Sequence, residues 1–193
     1  MLSAKYISTI VLFLTLGLAH NVGPMPPRPT VPPCLDKGDR KRVEKAGSEE
    51  KRLVVYTAVA QERSVELWYC FSPWAAGFDS GGIFHLWHPQ QCPGIQDMLD
   101  AVGCAESGAS EELAGWGASG PKADAALRDA RDRLEGAQAF LRYAEADARH
   151  SPSRFGPAIP NQVKAMGASL GDCEASIVKL LARGHPSTDS GGP

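Results

Sequence analysis

The C-terminal third carries the pattern that most narrows the fold. From Pro121 to about Arg149, Leu127, Ala130, Leu134, Ala137, Leu141, Ala144 and Ala148 recur at alternating steps of three and four. From about Asn161 to Arg183, Val163, Met166, Leu170, Cys173, Ile177 and Leu180 repeat that spacing. Residues so spaced share one helix face, and a chain with two such faces must pack them against each other or against a third element. Between them, His150–Pro160 holds three prolines and has to turn. An antiparallel helical hairpin over residues 121–183 follows. Asp124–Arg128, Asp129–Arg133 and Arg131–Glu135 add opposite charges four residues apart, each worth a few tenths of a kcal/mol. Gly136, Gly167 and Gly171 interrupt the stripes; each costs about 1 kcal/mol relative to Ala unless it serves a close approach.

The opposite end reads as an address. Lys5 precedes the 13-residue apolar run Ile7–Ala19. This is the length of a signal-peptide core and too short for a bilayer span of about 20 residues. Gly17 and Ala19 sit at −3 and −1 of a cut before His20. Residues 1–19 are therefore expected to be removed on export. His20–Pro33 contains six prolines and should be extended and polyproline-like. It runs into the basic triplet Arg40-Lys41-Arg42, and Lys51-Arg52 follows. In an exposed, flexible segment such a run suits a furin- or kexin-type convertase, with Arg42 the favoured cut and Arg52 the second candidate. Residues 20–42 hold five basic and two acidic side chains, consistent with a basic pro-segment ahead of an acidic domain.

Five cysteines, Cys34, Cys70, Cys92, Cys104 and Cys173, are read in that light, because export permits disulfides. A cut after Arg42 leaves four. Pro93–Gly103 has Ile95, Met98, Leu99 and Val102 on one helix face, with Pro93 at the first position and Gly103 as a stop. Such a helix would hold Cys92 and Cys104 about 18 Å apart, too far for a bond. The expected pairs are Cys70–Cys92 and Cys104–Cys173, with Cys34 unpaired or lost; Cys70–Cys104 with Cys92–Cys173 is the alternative.

Residues 53–120 read as a small β-rich part. Leu53–Ala60 is rich in β-branched residues, and Ser64–Phe71 alternates, with Val65, Leu67, Tyr69 and Phe71 on one side. Gln61-Glu62-Arg63 would join them as a hairpin, although it lacks the usual turn residues. Gly82–Trp87 is a third strand candidate, and Ala105–Gly120 reads as a loop. Val43–Lys51 reads as a mobile polar arm, and residues 184–193 as a tail. The expected fold class is α+β: a small antiparallel sheet, a short helix and the C-terminal hairpin.

Chemistry is harder to find. Asp-Ser-Gly-Gly occurs at Asp79–Gly82 and Asp189–Gly192 and resembles the serine segment of chymotrypsin-like proteases. The first copy lacks the preceding glycine and the second ends the chain, so the likeness carries no active site. His85, His88 and Cys92 have zinc-like spacing. A strand would point the two histidines to opposite faces, so no metal site and no cofactor are expected. Asp79 with His85 and His88 is the one acid–base set that supports an alternative reading as a secreted hydrolase. Trp74, Phe78 and Trp116 lie in loop-like sequence and are the candidate partner contacts. A net charge of −2 gives no support for nucleic-acid binding, and no later run is apolar enough to span a membrane. The plan is similar in kind to small secreted effector or toxin-like proteins of fungi and other microbes, a likeness of composition that carries no active-site residues. Export and the absence of a coherent catalytic set lead to the expectation of a monomeric extracellular protein, processed by a convertase, that binds a partner rather than acting as an enzyme.

Overall fold

The computed structural model describes residues 32, 34–72, 94–150 and 156–184. It is all-α. Five helices follow one another, α1 (Lys37–Ala46), α2 (Glu49–Phe71), α3 (Ile95–Ala114), α4 (Pro121–His150) and α5 (Ala158–Gly184), and there is no strand among the described residues. The expected antiparallel sheet is therefore corrected. Leu53–Ala60 and Ser64–Phe71 belong to one 23-residue helix, and the candidate strand Gly82–Trp87 lies outside the described residues.

The physical reason is in the same residues. Leu53, Tyr56, Ala60, Ser64, Leu67 and Phe71 are all buried and recur at steps of three and four, one helix face rather than a strand face. Gln61-Glu62-Arg63 contains good helix formers and nothing that breaks a helix. Ser48 caps the N-terminus, its side chain accepting from the Lys51 N–H. The β-branched residues are tolerated because their faces are packed, and tertiary burial outweighs a propensity difference of a few tenths of a kcal/mol.

Helix α3 also outruns its expected end. Gly103 does not stop it, and Ala105–Ala114, read as loop, is helical. Only residues 115–120 connect α3 to α4. The expected mobile arm is likewise structured. Asp36 caps α1 by accepting from the Asp39 N–H, Val43 is fully buried, and Gly47, at φ 71°, turns the chain into Ser48 and α2.

Helices α2 to α5 form a four-helix bundle whose order is set by side-chain contacts. Arg52 meets Glu112, and Cys70 Sγ lies 4.0 Å from Met98 Sδ, so α2 and α3 are antiparallel. Gln138 donates to Glu174 and Arg149 to Asn161, so α4 and α5 are antiparallel too. Trp68 stacks near Phe140 and Tyr143. Helix α2 packs on α3 and α4, and α5 packs on α4 and α3. The short link from Gly115 to Gly120 thus crosses the diagonal. The α4 seam alternates Leu127, Ala130, Leu134, Ala137, Leu141 and Ala144, all buried. The alanine layers let the neighbouring helices come close. Of the expected surface pairs, Asp129–Arg133 and Arg131–Glu135 form.

Two glycines separate a packing role from a propensity cost. A Cβ at Gly108 would lie 2.6 Å from Tyr56 Cζ and nearer still to Cε1, and Tyr56 is buried at the α2–α3 seam. Gly108→Ala should lose about 1–3 kcal/mol by overpacking despite its gain in helix propensity. Gly167 has nothing within 4 Å of such a Cβ, so Gly167→Ala should gain up to about 1 kcal/mol. Urea midpoints of the two variants should move in opposite directions; a shared sign would contradict the close α2–α3 approach.

Candidate functional site

The described residues offer two built features, a stapled N-terminal strap and an aromatic cluster. The strap begins at Cys34, which is disulfide-bonded to Cys104 across 70 positions of sequence, with Cα atoms 5.9 Å apart. This corrects the expected Cys104–Cys173 pair, because Cys173 is a buried free thiol. Burial pushes the Cys173 thiol up to about 11, so it is a poor nucleophile and packs as an apolar side chain. Cys34 is neither unpaired nor detached from the fold. Cys70 is a half-cystine as well.

Charges continue the strap. Arg63 on α2 donates through Nη2 to Asp36 and to Asp39, the latter at 2.7 Å, and through Nη1 to Glu66 at 2.8 Å. Arg42 donates to both Glu62 carboxylate oxygens at 2.7 and 3.0 Å and to Asp39 at 3.1 Å. The expected processing residue Arg42 therefore lies in a helix with its guanidinium engaged, not in a flexible run. Arg52, the second candidate, sits in α2 paired with Glu112. A cut after Arg42 would leave residues 34–42 covalently attached through Cys34.

The strap carries a pH signature. The Asp39 N–H and the Arg63 guanidinium hold the Asp36 carboxyl below its ordinary range, and Arg42 does the same to Glu62. A carboxyl depressed in the folded state contributes stability that is complete above its unfolded pKa, near 4, and lost as pH falls through the folded value. The protection of α1 amides, taken relative to the intrinsic exchange rate at each pH, should therefore fall as pH drops below about 4, ahead of that of the α4–α5 hairpin. Equal protection of α1 and the hairpin through that window would contradict the clamp.

The second feature surrounds Trp68. Tyr69, Phe140 and Tyr143 have ring centroids 5.0, 5.6 and 5.8 Å from Trp68, with planes tilted by 36–46°. Tyr143 is 57% exposed, the most exposed large hydrophobic among the described residues. Each of the three rings packs against Trp68, which is itself partly buried against the core, and together they form an aromatic platform on α2 and α4.

Of the sequence-derived contacts, Trp116 is described. It lies after α3 and packs partly buried against the core, where it covers apolar surface. Trp74, Phe78, the hydrolase candidates Asp79, His85 and His88, the remaining cysteine Cys92 and the expected cleavage residue Ala19 lie outside the described residues. A strand reading of Ser64–Phe71 conceals the aromatic cluster, because it separates Trp68 and Tyr69 onto opposite faces and away from α4. Once α2 and α4 are helices, Phe140 and Tyr143, three apart, share one face. Among the described residues no three His, Cys, Asp or Glu side chains are grouped to hold a metal ion, and no helix is long and apolar enough to cross a membrane. Comparison with protein-family models, curated proteins and solved structures finds no match.

Proposed function

We propose that this chain is an exported, disulfide-stapled helical bundle that acts by binding an extracellular or host protein. The observation that carries the reading is the Cys34–Cys104 bond, supported by the half-cystine Cys70. Disulfides persist in oxidising compartments and are rare in the cytosol. The apolar run Ile7–Ala19 supplies the matching address. The contact surface in this reading is the platform of Trp68, Tyr69, Phe140 and Tyr143; Trp74 and Phe78 are kept as candidate contacts read from the sequence alone. Partly exposed aromatics on rigid helices give large contact area at low entropic cost, and Trp and Tyr dominate binding hot spots. Processing after Arg42 belongs to the proposal as a nick in a tethered strap, not as release of a pro-segment.

The test is saturable binding of dye-labelled protein to intact cells of its surroundings. Phe140→Ala with Tyr143→Ala should weaken binding at least about tenfold, the loss of one or two hot-spot residues, while the thermal midpoint shows the bundle still folded. Saturable binding untouched by that pair would move the contact surface elsewhere. Absence of any saturable binding would remove the reading.

A further inference from the structure

The basic triplet Arg40-Lys41-Arg42 lies inside the folded strap, and that placement gives α1 a role of its own. A convertase-type protease takes its substrate as an extended chain, with the basic side chain in an acidic pocket and the next residue free to leave. Helix α1 meets none of these demands. Residues 37–46 are helical. The Arg42 guanidinium is held by both Glu62 carboxylate oxygens and by Asp39. Arg40 donates through Nη2 to the Leu35 carbonyl at 3.1 Å. Val43, on the far side of the bond to be cut, is fully buried.

We propose that α1 is a proteolytic latch: the Arg42–Val43 bond is shielded while the strap is closed, is cut only from an opened strap, and once cut keeps the strap open. The latch rests on the processing step in the reading above and gives that step its order.

Opening can be local. Helix α1 packs on α2, and Leu35 and Val43 are the side chains through which the strap joins the core. Helices α2 to α5 form their bundle without it. Where a segment opens apart from the rest, the rate of cutting follows the population of the open form. The Cys34–Cys104 bond and the ion pairs of Arg42 and Arg63 with Glu62 and Asp39 keep that population low.

The one-way character follows from charge. Hydrolysis adds water across the Arg42–Val43 amide and leaves a carboxylate on Arg42 and an amine on Val43, which takes up a proton at neutral pH. Reclosing the strap would bring that ammonium into a site that held a neutral peptide group, and burying an unpaired charge is prohibitive. The cut also divides α1 into residues 37–42 and 43–46, each too short to hold a helix. Residues 34–42 stay attached through Cys34, so the product is an opened strap that bares the part of the core under Leu35 and Val43.

The sequence holds two Lys-Arg pairs, Lys41-Arg42 and Lys51-Arg52. The second lies in α2 with Arg52 tied to Glu112, so it reports unfolding of the bundle as a whole. Time courses with a kexin-type protease, which takes Lys-Arg pairs, are read by mass spectrometry under non-reducing conditions. They compare the oxidised wild type, Cys34→Ser/Cys104→Ala and Glu62→Gln/Arg63→Gln, with a peptide of residues 36–46 giving the rate of the unshielded bond. Both variants should be cut after Arg42 at least about tenfold faster than the wild type, as their open populations rise, and Arg52 should stay uncut in all three. Wild type cut as fast as the peptide would overturn the proposal, as would variants no faster than wild type, equal cutting at Arg42 and Arg52, or a peptide left intact. Hydrogen exchange of the nicked wild type then tests the second half. Residues 36–42 should be unprotected with the α4–α5 hairpin unchanged, and protection equal to that of the uncut protein would overturn the one-way step. None of these measurements involves a cell partner, so failure of the latch and failure of the binding reading are separate results.

Discussion

Glu112→Ala should cost the protein about 3–5 kcal/mol of unfolding free energy, the usual penalty for orphaning a buried charge. Glu112 accepts two hydrogen bonds from Arg52, Nε to Oε1 at 2.6 Å and Nη2 to Oε2 at 2.8 Å. Their side chains are 2% and 12% exposed. Removing the carboxylate leaves a guanidinium that must stay desolvated or drag α2 outward. Tyr56, buried nearby, already feels the site: burial, with Glu112 and Glu111 behind it, pushes its phenol up to about 12. Replacing both partners by apolar residues, Arg52→Met with Glu112→Leu, should cost far less than the single change, because no charge is stranded. The exposed Arg131–Glu135 pair is the contrast; Glu135→Ala should cost less than about 1 kcal/mol. Urea unfolding of these variants checks the ordering. A Glu112→Ala loss as small as that of Glu135→Ala would contradict the α2–α3 packing at this end of the bundle.

The second large effect belongs to the staple. Cys34→Ser with Cys104→Ala should lower stability by about 4 kcal/mol, the chain-entropy estimate for opening a closed loop of this length. The bond closes 70 positions of sequence. The loss should begin locally. Helix α1 has only ten residues, too few to persist unsupported. Without the bond it keeps Val43, Leu35 and the Arg63 and Arg42 ion pairs, of which Glu62 and Asp36 are about half exposed and so weakly held in salt. Exchange of α1 amides should become strongly salt-dependent in the double variant and stay nearly salt-independent in the wild type. Unchanged stability and unchanged α1 exchange would mean that the strap is held without its disulfide.

How far the sequence revealed this fold depends on the element. Helices α4 and α5 were legible because their apolar stripes are long and their ends are marked by proline. Helix α2 was not, since Leu-Val-Val-Tyr and the alternation from Val65 to Phe71 satisfy a period of two as well as 3.6 over short windows. Only the whole span from Leu53 to Phe71, joined by a link with no turn residue, separates the two. In α3 the glycines misled. Gly103 looked like a stop, while Gly108 is there because the Tyr56 ring occupies the space of its side chain. The Cys34–Cys104 bond was out of reach: it joins a segment before α1 to the middle of α3, and no local pattern encodes a tertiary distance. The strap followed the same course. Its Arg40-Lys41-Arg42 run resembles a flexible cleavage site until Asp39 and Glu62 are seen to hold Arg42. Trp116 illustrates the commoner fate of a loop tryptophan, which is to cover the core.

Peptide mapping under non-reducing conditions, on protein recovered from the culture medium and alkylated in denaturant, bears most directly on an exported, disulfide-stapled bundle. The expected result is secretion with a Cys34–Cys104 linkage, a Cys70–Cys92 linkage as the one remaining pairing, and alkylation of Cys173 alone. A protein absent from the medium, or one recovered with Cys34 and Cys104 both alkylated, would contradict it.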